Sequence, residues 1–348
     1  NLSFSDEDID YFRAQNLFSE EFLSFLRGFR FRGDIYAVPE GTIIYPNEPL
    51  MTIVAPIIDA QLIETAILAQ INHQSLIATK ASRIVRAAEG RKVSDFGARR
   101  AHNMDAATYG ARAAYIGGVD MTATVSAGQQ FGIPISGTMA HSWVMFFEDE
   151  FMAFKKYAEL YPQATVLLVD TYDVLHSGIP NAIRTAHEVL APRGHRLAGV
   201  RIDSGDLAYL SKRVRTMLDD AGLTDCKIIL SNSLDEFTIS SLLLQGAQVD
   251  SFGVGERLIT AKSDPVFGAV YKLVAVEKDG VFAPRIKMSE NVEKLTNPGI
   301  KDLYRIYDRH GKAVADMLAL QGEEIDLTKP FRYVDPRKPW KNRFFEGF

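Results

Sequence analysis

The chain has 348 residues, 47% hydrophobic and 24% charged, with 25 Gly and 14 Pro. This composition excludes disordered, collagenous and coiled-coil classes and gives length for two domains, or one large α/β barrel with an appendage. Thirty-nine basic against 44 acidic residues leave a net charge of −5, which supplies no general attraction to nucleic acid or to an anionic membrane.

The single cysteine, Cys226, excludes an intrachain disulfide and a multi-cysteine metal site, and it predicts a reducing, cytoplasmic setting with Cys226 itself a buried small hydrophobe. No signal peptide opens the sequence, and its apolar runs, such as 165–169 and 227–230, are far too short to cross a bilayer. The sequence starts at Asn1 rather than Met, so further residues are expected upstream.

Residues 1–30 carry an amphipathic helical signal: acidic residues at 6–8, then Phe22, Leu23, Phe25 and Leu26 at helical spacing. Three short strands over 34–38, 42–45 and 50–54, separated by the turns at 39–41 and 46–49, predict a small antiparallel unit. A long helix follows over 57–89, with Ile57, Leu62, Ile63, Leu68 and Ile71 apolar. From 92 to 256, strand-like runs at 92–95, 133–136, 165–170, 197–203, 227–232 and 250–253 alternate with helical segments, among them 181–190 and 207–221. Such alternation means parallel strands with helical crossovers, in a doubly wound sheet or a (β/α) barrel. After Gly268 the pattern returns to β, with strands over 269–276 and 281–287 around a turn at 278–280. The expected organisation is therefore a split, sandwich-like β-rich domain from 1–56 and 268–348, around an α/β domain over 57–267. There is no internal repeat and no low-complexity segment.

In a parallel α/β barrel, chemistry sits at the carboxyl ends of the strands. Those ends are 95–100, 136–142, 170–173, 201–206, 231–233 and 253–255, and they carry Asp, His, Arg, Ser, Asn or paired glycines. Arg99, Arg100 and Arg201 suit an anion, because the guanidinium fork matches carboxylate and phosphate oxygens. Gly253-x-Gly255 presents backbone N–H groups suited to a phosphate, and Asp203 and Asp206 suit Mg²⁺ or ribose hydroxyls. The alternative for these Arg and Asp residues is a scaffold of ion pairs. Together the ends predict a phosphorylated, sugar-containing substrate. A P-loop, a full dinucleotide fingerprint, a zinc motif and a nucleophile elbow are all absent. His141 stands out by its place at a strand end in a hydroxyl-rich loop.

At these positions the sequence resembles the nicotinate phosphoribosyltransferases. The resemblance is carried by Leu76-Ile-Ala-Thr-Lys-Ala-Ser-Arg83, Asp95-Phe-Gly-Ala-Arg-Arg-Ala-His102, Gly137-Thr-Met-Ala-His-Ser142, Gly199-Val-Arg-Ile-Asp-Ser-Gly-Asp206 and Gly268-Ala-Val-Tyr-Lys-Leu-Val274, and it runs from about residue 20 to about 310. It implies an irregular (β/α) TIM-like barrel with a second, split β-rich α+β domain, in a cytoplasmic homodimer with sites at the subunit interface. The implied reaction joins nicotinate to phosphoribosyl pyrophosphate, giving nicotinate mononucleotide and pyrophosphate, with Mg²⁺ and with ATP hydrolysed through a phosphohistidine. Residue by residue, Phe96 would stack on the pyridine ring, with Thr138 and Arg201 on nicotinate and Arg99 on the substrate anions. His141 would be phosphorylated, and Asp203 would hold the substrate or its Mg²⁺. Ser231 and Asn232 would line the ribose side, and Gly253 and Gly255 the phosphate loop.

Two departures stand out. Glu256 follows Gly255 where relatives often carry a small hydroxyl residue, and it is expected to point away from the site or to pair with Arg257. In the family, an aromatic residue from upstream of Asn1 reaches the neighbouring subunit's site. The rival readings are a nicotinamide phosphoribosyltransferase, for which Asp120 would be the ring-recognising carboxylate, and an inactive nicotinate- or phosphoribosyl-binding regulator.

Overall fold

The computed structural model describes residues 2–288, 296–326, 329, 331–334, 340 and 342–345. Packing divides the chain into two units, Asn1–Leu68 with Val270–Phe348, and Ala69–Ala269. In the first unit, helices α1 (Asp6–Ala14) and α2 (Glu20–Arg27) start at Ser5 and Ser19, whose hydroxyls accept from backbone N–H groups of the first turn. Their apolar faces bury Ile9, Leu23 and Leu26 among phenylalanines. Strands β1 (Asp34–Ala37) and β2 (Met51–Val54) pair antiparallel. The strand predicted over 42–45 does not form. Val38 N already donates to Leu50 O at 3.1 Å, so the residues between loop out, and the Tyr45 N–H is taken by the Glu48 carboxylate at 2.8 Å. Helix α3 (Ile57–Ala87) matches the long helix expected there.

The second unit alternates strands and helices: β3 (Lys92–Asp95), α4 (Met104–Ile116), β4 (Met121–Thr122), α5 (Val125–Phe131), α6 (His141–Phe146), α7 (Glu150–Leu160), β5 (Val166–Leu168), α8 (Ile179–Thr185), β6 (Gly199–Ile202), α9 (Leu207–Asp220), β7 (Lys227–Leu230), α10 (Glu236–Leu244), β8 (Ser251–Val254) and α11 (Glu256–Ile259). The six strands are all parallel, in the order β4-β3-β8-β7-β6-β5, and form a curled half-barrel sheet. Leu167, Val200, Ile202, Leu230, Phe252 and Val254 are fully buried in one core with Ile84, Val214 and Leu218 of the helices, as a covered parallel sheet requires.

The strand predicted over 133–136 is reduced to one bridge, Ile135 beside Thr122. Pro134 has no N–H to donate, so the contact consists of Thr122 N to Pro134 O at 3.0 Å and Ser136 N to Thr122 O at 2.9 Å. Its partner β4 is a two-residue strand that the hydropathy pattern did not mark. The helix predicted over 181–190 is the middle of a longer run, in which α8 is flanked by π-turns at Val174–Gly178 and Ala186–Leu190.

Back in the first unit, β9 (Ala275–Lys278) and β10 (Val281–Pro284) form a hairpin. Its turn residues Asp279 and Gly280 both have positive φ, 52° and 77°, the conformation that a two-residue turn needs. The strand expected from 269 starts only at Ala275, since Val270 and Leu273 are exposed and unladdered. The strand expected to 287 stops at Pro284. Strands β11 (Lys301–Tyr307) and β12 (Ala313–Leu320) pair antiparallel, as do β13 (Phe331–Val334) and β14 (Asn342–Phe345). Arg305 of β11 is nearly buried. It pairs with Asp316 of β12 at 2.8 Å, lies 3.9 Å from Glu48, and sits over the Tyr45 ring at 5.5 Å. No described helix is long and apolar enough to cross a membrane.

Candidate active site

Because every strand of the sheet runs the same way, the chain leaves β3, β6, β7 and β8 at one rim, and the second unit's polar residues gather there. At the end of β3, Asp95 is fully buried and accepts from Gly97 N and Thr122 Oγ1, each at 2.8 Å. Burial pushes its carboxyl above the ordinary aspartate value. These bonds shape the turn that lays Phe96 across β8. A Cβ at Gly253 would stand 2.5 Å from Phe96 Cε2 and 3.3 Å from Ser231 Cβ. A side chain at Gly253 would therefore displace the aromatic ring.

Arg201, on β6, is nearly buried. Its Nη1 donates to Thr138 Oγ1 at 2.5 Å, its guanidinium lies 5.9 Å from the Phe96 ring centroid, and Nη2 is 4.0 Å from Asp203. Its Nε is buried with no hydrogen-bond partner. Burial pulls the pKa of this guanidinium down, opposed by the nearby Asp203 and Asp170 carboxylates and reinforced by Arg99. A desolvated cation with an unused donor is an anion site in waiting.

His141 is the first residue of α6, and its Nε2 faces Asp170 Oδ1 at 3.3 Å. The buried Asp170 also accepts from Asp203 N at 3.1 Å and Ser204 Oγ at 2.6 Å, so one carboxylate ties the histidine to the end of β6. Asp203 in turn accepts from Ser231 Oγ at 2.6 Å. Asn232 and Ser233, just past β7, both have positive φ, 96° and 48°, strain of the kind found where a loop is shaped for a ligand. Two ion pairs fix this loop: the buried pair of Lys80 on α3 with Glu236 at 2.7 Å, and the half-buried pair of Asp235, the cap of α10, with Arg257.

An open cavity of about 380 Å³ lies at this rim. Phe96, Arg99, Thr138, His141, Arg201, Asp203, Ser231, Asn232, Gly253 and Gly255 all line it. Of the other lining residues, Gly137, Met139, Ala140 and Ser233 fall within the strand-end runs 136–142 and 231–233 but have no site role in the sequence reading, and Ala123 lies outside every run. Of these, Ser233 carries the chemical signal of a polar side chain at a strand end, and Ala123 carries none. Asp206 is not in the wall; its carboxylate caps α9 through Tyr209 N at 3.0 Å. Asp120 is not there either, since it accepts from Val93 N at 2.8 Å near the start of β3.

Glu256 corrects an expectation. It does line the cavity, and its neighbours are Arg100 at 4.0 Å and Lys262 at 3.5 Å, while Arg257 is taken by Asp235. Cys226 is buried in the core, which pushes its thiol up to about 12. Among the described residues, no group of three or more His, Cys, Asp or Glu is arranged to hold a metal ion.

Three family models cover most of the chain: the nicotinate phosphoribosyltransferase N-terminal domain over residues 1–72, the nicotinate phosphoribosyltransferase family over 91–297, and the C-terminal domain over 300–348. The chain is 49% identical to the nicotinate phosphoribosyltransferase of Bacillus subtilis, over all of this chain and 71% of that protein. It is 50% identical to nicotinate phosphoribosyltransferase pncB2 of Mycobacterium tuberculosis, over 71% of this chain and 52% of that protein. Among solved structures, human nicotinic acid phosphoribosyltransferase superposes with a TM-score of 0.83 at 28% identity, covering 99% of this chain and 76% of that one. Nicotinate-nucleotide pyrophosphorylase from Pyrococcus furiosus superposes with a TM-score of 0.68 at 29% identity, over 90% of this chain and 74% of that one. The chain belongs to the nicotinate phosphoribosyltransferase family.

Proposed function

We propose that this chain joins nicotinate to phosphoribosyl pyrophosphate, giving nicotinate mononucleotide and pyrophosphate, with ATP hydrolysis coupled through His141, as the first step of NAD salvage from nicotinic acid. The observation that carries the reading is Arg201, a buried guanidinium bonded to Thr138, beside the Phe96 ring, with its Nε unpartnered. A flat aromatic acid satisfies all three features at once: ring on ring, carboxylate on guanidinium and hydroxyl.

The pyridine nitrogen attacks ribose C1 with its own lone pair as the C1–oxygen bond to pyrophosphate breaks, so no general base is needed. Asp203, held by Ser231, sets negative charge near the cationic ribose of the transition state. Arg99 takes the departing anion, Asn232 the ribose side, and the backbone at Gly253 and Gly255 the phosphate. Orientation in ideal systems contributes roughly 7–11 kcal/mol, and the fixed ring and Arg201 supply part of it here. Mg²⁺ would arrive on the diphosphate with Asp203 as its protein contact, neutralising leaving-group charge, which fits a wall with few carboxylates.

The Asp170 carboxylate at 3.3 Å favours the His141 tautomer with its proton on Nε2, which leaves Nδ1 with the lone pair. That nitrogen attacks the γ-phosphorus of ATP, the bond to ADP oxygen breaks, and Asp170 balances the charge on the phosphorylated ring. Hydrolysis returns the histidine.

The nicotinamide reading needs a carboxylate at the ring, and Asp120 is committed to the Val93 N–H away from the cavity. Against the regulator reading, His141, Asp203 and Arg201 all line one cavity. We likewise propose an irregular TIM-like barrel over 57–267, a split β-rich domain from 1–56 and 268–348, and a cytoplasmic homodimer with sites at its interface. The division of the chain into two packed units supports the domain part. The test is product formation by the full-length chain from phosphoribosyl pyrophosphate with nicotinate or nicotinamide, with and without ATP. Nicotinate mononucleotide stimulated by ATP is expected. Label from γ-labelled ATP retained by His141→Ala would remove the phosphohistidine from the scheme.

A further inference from the structure

Glu256 opens α11 directly after Gly255, on the cavity wall and half exposed. Its two oxygens face different cations: Oε2 lies 4.0 Å from Arg100 Nε, and Oε1 lies 3.5 Å from Lys262 Nζ. The cations belong to separate pieces of chain, the turn Ala98–Arg100 and the segment after α11. The wall also carries Arg99 and Arg201, with Asp203 its other carboxylate. A carboxylate bridging two cations beside an anion cavity offers them what a phosphate offers, separated oxygens with negative charge.

We propose that Glu256 is a built-in competitor for the phosphate-bearing substrate and product, holding Arg100 and Lys262 while the anion site is open and ceding them when a diphosphate enters. The inference rests on the phosphoribosyl transfer reading above and names a residue that sets its anion affinity. Long, half-exposed ion pairs are weak and exchangeable, which suits a group that must give way. Removing the carboxylate frees Arg100, which lines the cavity, and Lys262, 3.5 Å from Glu256 and outside the lining, so a diphosphate binds tighter and leaves more slowly. Tighter binding shared by the ground and transition states lowers KM without raising kcat, and it slows turnover wherever product release limits the rate. A carboxylate kept only to suit the start of a four-residue helix predicts no change in anion affinity.

The experiment titrates inorganic pyrophosphate into the full chain by calorimetry, comparing the parent with Glu256→Gln at two salt concentrations. Binding about three- to tenfold tighter in the variant is expected, with the gain shrinking at high salt. The gain should vanish when Arg100→Ala and Lys262→Ala are added. Equal or weaker binding in Glu256→Gln, including none by either protein, overturns the inference, and so does a gain that survives loss of both cations. In turnover, KM for phosphoribosyl pyrophosphate should fall by a similar factor while KM for nicotinate holds. Tighter pyrophosphate binding in a chain that forms no nicotinate mononucleotide would refute the reaction and leave the competition intact.

Discussion

Gly253→Ala tests the ring site through a single methyl group. The added Cβ would lie 2.5 Å from Phe96 Cε2 and 2.6 Å from Cδ2, whereas carbon atoms rest at about 3.5–4.0 Å, so the ring must withdraw by about 1 Å. The backbone cannot follow easily, because Phe96 N donates to Val254 O at 2.7 Å. The ring therefore swings away from β8 and out of register with Arg201. Misplacement of that size costs about a hundredfold in rate, roughly 2.7 kcal/mol, and the strain itself about 1–3 kcal/mol of stability. Steady-state kinetics with varied nicotinate, alongside thermal melts, should show kcat/KM for nicotinate down about a hundredfold. KM for phosphoribosyl pyrophosphate should change little. Adding Phe96→Leu should restore the melt without restoring nicotinate kinetics. A well-folded Gly253→Ala chain with nicotinate kinetics within threefold of the parent would refute the placement of the ring.

Arg201→Lys keeps the charge but loses the fork, so KM for nicotinate should rise by about 1.5–3 kcal/mol, roughly 10- to 150-fold; an unchanged KM moves carboxylate recognition elsewhere. Lys80→Met strands Glu236 in the interior and should cost about 3–5 kcal/mol in a denaturant titration, while Lys80→Met/Glu236→Leu should recover most of it. Cys226 resists thiol reagents at pH 8 until the chain unfolds, since at a pKa of about 12 only about one thiol in ten thousand is ionised there; fast labelling of the native chain contradicts this burial. The folded pKa lies above the ordinary 9.0, so the stability this thiol contributes is whole below pH 9 and is lost as pH rises towards 12, by up to about 1.4 kcal/mol per pH unit. Cys226→Ala should flatten that alkaline slope.

The candidate site was legible in the sequence because parallel strands deliver their carboxyl ends to one rim, so short polar runs such as 201–206 and 231–233 announce the wall without any contact being known. Conformation was less legible than location. Gly253 reads as a phosphate-loop glycine, yet its absent side chain serves the Phe96 ring, a contact between residues distant in the chain. Asp206 reads as a ligand and acts as a helix cap, since a carboxylate before an apolar run satisfies either role. Residues 42–45 have the alternation of a strand and lack a ladder partner, and Pro134 thins another strand to one bridge. Glu256 and Arg257 are adjacent and opposite in charge, but helix geometry sends them to different partners.

The first unit joins residues up to Leu68 with residues from Val270 onward, and its Glu48, Tyr45 and Arg305 come from those two pieces. On the ribosome, Arg305 follows Glu48 by roughly 250 residues, or about 13–50 s of synthesis. Throughout that interval the loop over 39–50 exists without its partner hairpin, while the intervening unit, Ala69–Ala269, completes its sequence before Arg305 is made. Slow translation or a pause late in the message therefore prolongs the exposure of the earlier piece, and proteases or chaperones acting on nascent chains should find their target there.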